Sequence, residues 1–183
     1  MTRSVRSTYR LQLQPSFTFD DAAAVVPYLA ELGVSHLYLS PCTEAVPGSE
    51  HGYDGVDPTK LRAELGGEEG FRRLVAAAHA RGMGLVVDLV PHHLAAHATN
   101  PWWWALLAEG QEGPAADVFD VDWNPPERHL RHRVLLPVLA DHYGRELEAG
   151  RIRLRWANDR YEVTYGDLRL PVSPESAAAL STS

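Results

Sequence analysis

Apolar and polar residues alternate along the first stretch of the chain, with Tyr9, Leu11 and Leu13 on one side and Arg10, Gln12 and Gln14 on the other. That period of two predicts a strand over residues 7–14 with one buried face. The period then lengthens. Val25, Val26, Leu29 and Leu32 fall on one side of a helix that Thr18 or Asp20 can cap and Gly33 can end, while Pro27 predicts a kink or a later start. Residues 34–40, closed by Pro41, predict a second strand, followed by a polar loop. A second helix is expected over 68–81, with Phe71, Leu74, Val75 and Ala78 in one stripe and Gly82 past its end. A third strand is expected over 85–90. Three strands separated by two helices make two βαβ units, hence an α/β fold whose parallel sheet carries its functional loops at the carboxyl ends of the strands.

Beyond residue 98 the texture changes. Thr99-Asn-Pro-Trp-Trp-Trp-Ala-Leu-Leu-Ala108 begins with a capping residue and puts Pro101 in a first turn, so a short aromatic helix is expected. Neighbours on a helix point about 100° apart, so Trp102, Trp103 and Trp104 cannot all face one way and at least one belongs to a core. Residues 110–128, rich in Gly, Pro and Asp, predict an extended loop. Residues 134–139 predict a helical packing segment. Ile152, Leu154 and Trp156 then alternate with Arg151, Arg153 and Arg155, and Asn158-Asp159 turns the chain into Tyr161, Val163 and Tyr165, a hairpin signal. The arginine row is expected to be its solvated face, with a sugar or anion site as the minority alternative. The tail over 174–183 is small and polar and is expected to fray.

Composition narrows the function. The 183 residues are 45% hydrophobic, enough for one core, and 17 basic against 24 acidic side chains give a net charge of -7. A nucleic-acid partner needs concentrated Lys and Arg and is excluded. A lone cysteine, Cys42, excludes an internal disulfide and fits a reducing compartment. Neither a signal-type apolar segment nor the ~20 apolar residues of a membrane span are present, so a soluble cytoplasmic protein is expected.

Two segments carry candidate chemistry. Gly84-Leu-Val-Val-Asp-Leu-Val-Pro-His-His93 brings Asp88, His92 and His93 to the carboxyl rim of the third strand. An ionised carboxylate in such a strand must sit at the rim or bond an arginine. The 48–57 loop offers Tyr53 as a flat ring and His51 and Asp54 as directional partners, the mixture a pyranose requires. The same loop could equally be a plain turn in which Asp54 and Asp57 hold backbone amides. His93 and His97 have the i, i+4 spacing of a helical metal pair, but Leu94 stands where a zincin has Glu, so no metal and no cofactor is expected.

The succession Ser7-Thr-Tyr-Arg-Leu-Gln12, Leu39-Ser-Pro41, Pro47-Gly-Ser-Glu-His-Gly-Tyr-Asp54 and Asp88-Leu-Val-Pro-His-His93 resembles the α-amylase superfamily of retaining glycosidases and transglycosylases. Within it, Asn100-Pro-Trp-Trp-Trp104, Phe119-Asp-Val-Asp-Trp123 and Val134-Leu-Leu-Pro-Val-Leu139 are similar to the maltooligosyltrehalose synthase family. The resemblance implies the N-terminal part of a TIM-type (β/α)8 barrel, residues 1–98 giving the first βα units and 99–183 part of a subdomain inserted after barrel strand three. It implies a maltooligosaccharide substrate whose reducing-end α-1,4 linkage is turned into an α-1,α-1 trehalose linkage. By position, Tyr53 resembles the ring that stacks under the glucose at the cleavage subsite and His93 the histidine that bonds its 6-hydroxyl, with Asp54 and Asp88 as supporting carboxylates. His92 replaces the Asn usual before that histidine, so the contact that the Asn makes is not carried over.

The resemblance places the family's nucleophile and acid/base on later barrel strands, and a closed barrel takes about 250 residues. A fragment inactive alone is therefore expected. The alternatives are half of a split enzyme, whose partner chain supplies the missing strands, and a non-catalytic module binding maltooligosaccharides through Tyr53 and Trp102 to Trp104.

Overall fold

A computed structural model describes residues 4–181. The chain divides into two compact units between Ala95 and Ala96, close to the change of texture after residue 98, although length alone favours one domain.

In the first unit, β1 (Thr8–Leu11), β2 (His36–Leu39) and β5 (Gly84–Val87) form a wholly parallel sheet in the order β1-β2-β5. The connections are α1 (Phe19–Glu31) and α2 (Gly67–Ala80), as the two periodicities require. Thr18 and Asp21 close a capping box on α1, and the helix runs through Pro27 without a later start. Leu37 and Leu39 are wholly buried on the helix-covered face with Leu13, Phe19, Leu29, Leu65 and Leu74. Because strand side chains alternate, Arg10 and Tyr38, cross-strand partners, take the opposite face. The strands are shorter than expected, and the third ends at Val87, yet Asp88 N–H still donates to the Leu39 carbonyl. Gly84 pairs with His36, whose ring fills the space a Cβ there would need.

The loop after β2 contains a hairpin that composition concealed. β3 (Thr43–Ala45) and β4 (Gly55–Leu61) pair antiparallel with register shifts on both sides of Glu44, and Pro58 lies inside β4. Gly-rich flanks and a strand proline read as pure loop, whereas bulged edge strands admit both.

In the second unit, Asn100 caps α3 (Pro101–Glu109) by accepting from the Trp102 and Trp103 N–H groups. The expected hairpin is a three-stranded antiparallel meander of β6 (Ile152–Ala157), β7 (Arg160–Tyr165) and β8 (Leu168–Pro171). Asn158 and Asp159 both have positive φ, 53° and 57°, as a two-residue hairpin turn of matching twist demands. α4 (Tyr143–Glu148) precedes the sheet.

Three expectations are corrected here. Residues 134–139 form no helix and leave Leu135, Val138 and Leu139 exposed, because Pro137 interrupts the run. The tail forms α5 (Pro174–Ser181) where fraying was expected, residues 182–183 lying outside the described part. The arginine face is only partly solvated: Glu162 and Thr164, opposite Arg155 and Arg153, are buried on it, while Leu154 and Trp156 on the apolar face are exposed.

Candidate functional site

The site is a hydrogen-bonded group gathered from three strands and one loop. Asp88 Oδ2 accepts from the Tyr53 hydroxyl at 2.5 Å, the Tyr38 hydroxyl at 3.3 Å and Arg10 Nη1 at 3.4 Å. Arg10 Nη2 also donates to the Tyr53 hydroxyl at 3.1 Å and to Gln12 Oε1, and its guanidinium lies 4.8 Å from the centre of the Tyr38 ring. The parallel register explains the convergence: Arg10 sits beside Tyr38, and Asp88 follows the strand paired to β2. Asp88 thus meets both conditions set by its sequence, since it lies at the rim and bonds an arginine.

Electrostatics follow from these contacts. The Tyr53 hydroxyl first, then Arg10 and Tyr38, hold the Asp88 carboxyl below the usual carboxylate range against the opposing effect of burial. The same bond raises Tyr53, whose phenolate would face a carboxylate. Asp88 is therefore an acceptor at neutral pH, with no proton to give.

The 46–54 loop is pinned from several sides. Gln12 Nε2 donates to the Glu50 carbonyl at 3.1 Å and the His51 carbonyl at 3.4 Å, and Glu64, held by the buried Arg62, accepts from Gly48 N–H. Asp54 Oδ1 accepts from the Ser49 hydroxyl at 2.5 Å, whose oxygen accepts in turn from Gly52 N–H. Gly52 adopts φ +76°, and a Cβ there would stand 2.5 Å from the Pro41 carbonyl oxygen, so this turn requires glycine. His51 Nδ1 accepts from Tyr53 N–H, and the two rings stack with centroids 6.1 Å apart. Tyr53 stays 38% exposed although its hydroxyl is fixed, which leaves ring surface open.

His93 Nε2 lies 2.9 Å from the Tyr53 carbonyl oxygen. A carbonyl only accepts, so Nε2 donates and Nδ1 is left as an acceptor. His92 packs edge-on to His93 with centroids 4.7 Å apart and remains exposed. All six sequence candidates, His51, Tyr53, Asp54, Asp88, His92 and His93, lie in the first unit. Asp57 instead holds the Thr59 N–H and Lys60, an Asx turn within β4. Sequence reasoning missed Arg10, Gln12 and Tyr38, although their place on the polar side of period-two strands was the available signal. Among the described residues, no three His, Cys, Asp or Glu side chains are grouped to hold a metal ion, and no helix is long and apolar enough to cross a membrane.

Residues 23–147 match the family model described as alpha amylase, catalytic domain, and the chain belongs to that family. Within it, the likeness is to maltooligosyltrehalose synthases. The enzyme of that name from Arthrobacter ramosus is 47% identical with a TM-score of 0.79, covering 92% of this chain and 21% of its own. A Sulfolobus tokodaii structure titled as a hypothetical maltooligosyl trehalose synthase is 34% identical with a TM-score of 0.81, covering 98% of this chain and 23% of its own. A Mycobacterium tuberculosis protein named "Putative maltooligosyl trehalose synthase" is 44% identical over 183 residues, 96% of this chain and 22% of that protein. The chain thus spans about a fifth of the length of the relatives it matches.

Proposed function

We propose that the first unit holds one glucose residue of an α-1,4-glucan for an intramolecular transglycosylation that turns the reducing-end α-1,4 linkage into an α-1,α-1 linkage. The observation that carries this reading is the three-donor capture of Asp88. It fixes the Tyr53 ring as a platform for the C–H face of a pyranose while Arg10 and Gln12 hold the rim. His93 Nδ1 then accepts from a sugar hydroxyl, the 6-hydroxyl in the family's arrangement. Exposed His92 stands at the same edge.

In this reading Asp88 and Asp54 position and do not react. Retaining chemistry needs a nucleophile and an acid/base about 5–5.5 Å apart, the acid protonated at working pH. Asp88 is held ionised, and Asp54 is engaged by Ser49. The reacting carboxylates come from polypeptide beyond these residues, in a longer chain or in a partner chain that adds strands to the sheet.

The test is an assay of the 183-residue chain with maltopentaose, scored for α-1,α-1-linked product and for hydrolysis. Binding without turnover is expected, with Tyr53→Ala removing the class of binding that this site contributes. Turnover above an enzyme-free blank, or binding indifferent to Tyr53→Ala, refutes the assignment.

A further inference from the structure

The tip of the β6–β7 hairpin carries an aromatic surface that the Asp88 site does not use. Trp156 is 60% exposed, yet its ring is held edge-on by Tyr161 at 4.8 Å and 70°. Beside it a groove of about 290 Å³ is lined by Trp104, Trp156, Asp159, Arg160, Tyr161 and Pro171, with the alanine side of α5 as its wall. That volume is near the low end of the ~300–1,000 Å³ typical of small-molecule sites. Arg160 is fixed from both sides, its guanidinium 3.7 Å above the Trp104 ring and its Nε donating to buried Glu162 at 3.1 Å. Asp159 is exposed on the turn, and its carboxylate takes no hydrogen bond or ion pair among the described residues.

We propose that this groove is a second α-1,4-glucan site, binding a maltooligosaccharide by stacking a glucose ring on Trp156 while Asp159 and Arg160 bond its hydroxyls. The geometry selects a sugar for three reasons. A large indole face turned to water matches the apolar C–H face of a pyranose. A free carboxylate offers two acceptor oxygens to a pair of vicinal hydroxyls. Its neighbour Arg160 offers fixed guanidinium donors, and Glu162, shared by Arg160 and Arg169, together with the Asp159 carboxylate balances the two guanidinium charges, so a neutral polyol suits the site better than an anion. The site shares no residue with the Tyr53 group and rests on the proposed function only for the class of ligand.

The experiment is titration of the 183-residue chain with maltoheptaose, followed by calorimetry and by retardation in amylopectin-containing native gels, on wild type, Trp156→Ala, Trp156→Phe, Asp159→Gly and Tyr53→Ala. Trp156→Ala is expected to weaken one class of binding by about tenfold or more, with Trp156→Phe in between. Asp159→Gly relieves a positive-φ residue, so it is expected to lose affinity without losing stability. Tyr53→Ala should leave this class intact. If Trp156→Ala and Asp159→Gly both bind like wild type, with native circular dichroism, the second site does not exist. If Tyr53→Ala alone removes all binding, the second site is likewise refuted. If only the Trp156 and Asp159 variants matter, the second site stands and the Tyr53 assignment falls.

Discussion

Replacing Asp88 with Asn tests the network that defines the site. Oδ2 accepts three donors, but only the Tyr53 hydroxyl is short, at 2.5 Å against 3.3 Å and 3.4 Å for Tyr38 and Arg10. A hydrogen bond to a charged acceptor contributes about 1.5–3 kcal/mol and a neutral one about 0.5–1.5 kcal/mol. The amide oxygen of Asn keeps the neutral version, so loss of the Asp88 charge costs about 1–1.5 kcal/mol. The ion pair to Arg10 is long, with side chains 37% and 17% exposed, and adds at most a few tenths of a kcal/mol. Asp88→Asn should therefore lose about 1–2 kcal/mol, with Tm falling roughly 4–8 °C per kcal/mol in a unit of this size.

The pH dependence carries a definite sign. The folded state holds Asp88 below its ordinary value, so it binds that proton less tightly than the unfolded chain. Its contribution is complete above pH about 4 and is lost as pH falls through the folded value. The gap between wild type and Asp88→Asn should therefore close in acid. All five tryptophans lie at position 102 or later, so indole fluorescence reports on the other unit. Hydrogen exchange at the β1, β2 and β5 amides is the appropriate readout. Equal stability at neutral pH, or a deficit unchanged by acid, would refute the reasoning.

Three further outcomes are expected. Gly84→Ala drives a methyl into the His36 ring and should cost about 2 kcal/mol in urea unfolding, with part recovered in the Gly84→Ala/His36→Ala double variant. Gly52→Ala combines a positive φ with a backbone clash at Pro41; it should cost about 2–4 kcal/mol and weaken maltopentaose binding in the same titration. Glu162→Gln removes a carboxylate 2% exposed that bonds Arg160 and Arg169. A fully buried pair would lose 3–5 kcal/mol, but guanidiniums some 40% exposed reduce this to about 2 kcal/mol, measurable through tryptophan fluorescence because Arg160 stacks on Trp104.

The parallel unit was legible because its signals agree: period two, then 3.6, then two again, with Gly33 and Gly82 as stops. The 41–62 hairpin was not, since Pro58, Gly52 and Gly55 suppress strand propensity and bulged pairing leaves no alternation to read. Asp88, Tyr53 and His93 were legible as chemistry out of place in its surroundings. Arg10, Gln12 and Tyr38 were not, because a polar residue on an exposed strand face is ordinary until the register of its neighbours is known. The arginine row misled for a related reason. Alternation shows that two faces differ, but the buried member of the polar face, Glu162, sits on the next strand.

The sheet order β1-β2-β5 runs in the direction of synthesis, each strand pairing with the preceding strand of the same sheet. The 46–54 loop leaves the ribosome between the second strand and the third, so Gln12 can dock it early. Asp88 is the last member of its own group to be made. Until it emerges, Arg10, Tyr38 and Tyr53 have no acceptor in common, and its arrival gives all three the same carboxylate oxygen. The moment at which this hydrogen-bonded group closes is thus set by a single residue, well before the aromatic hairpin of the second unit exists.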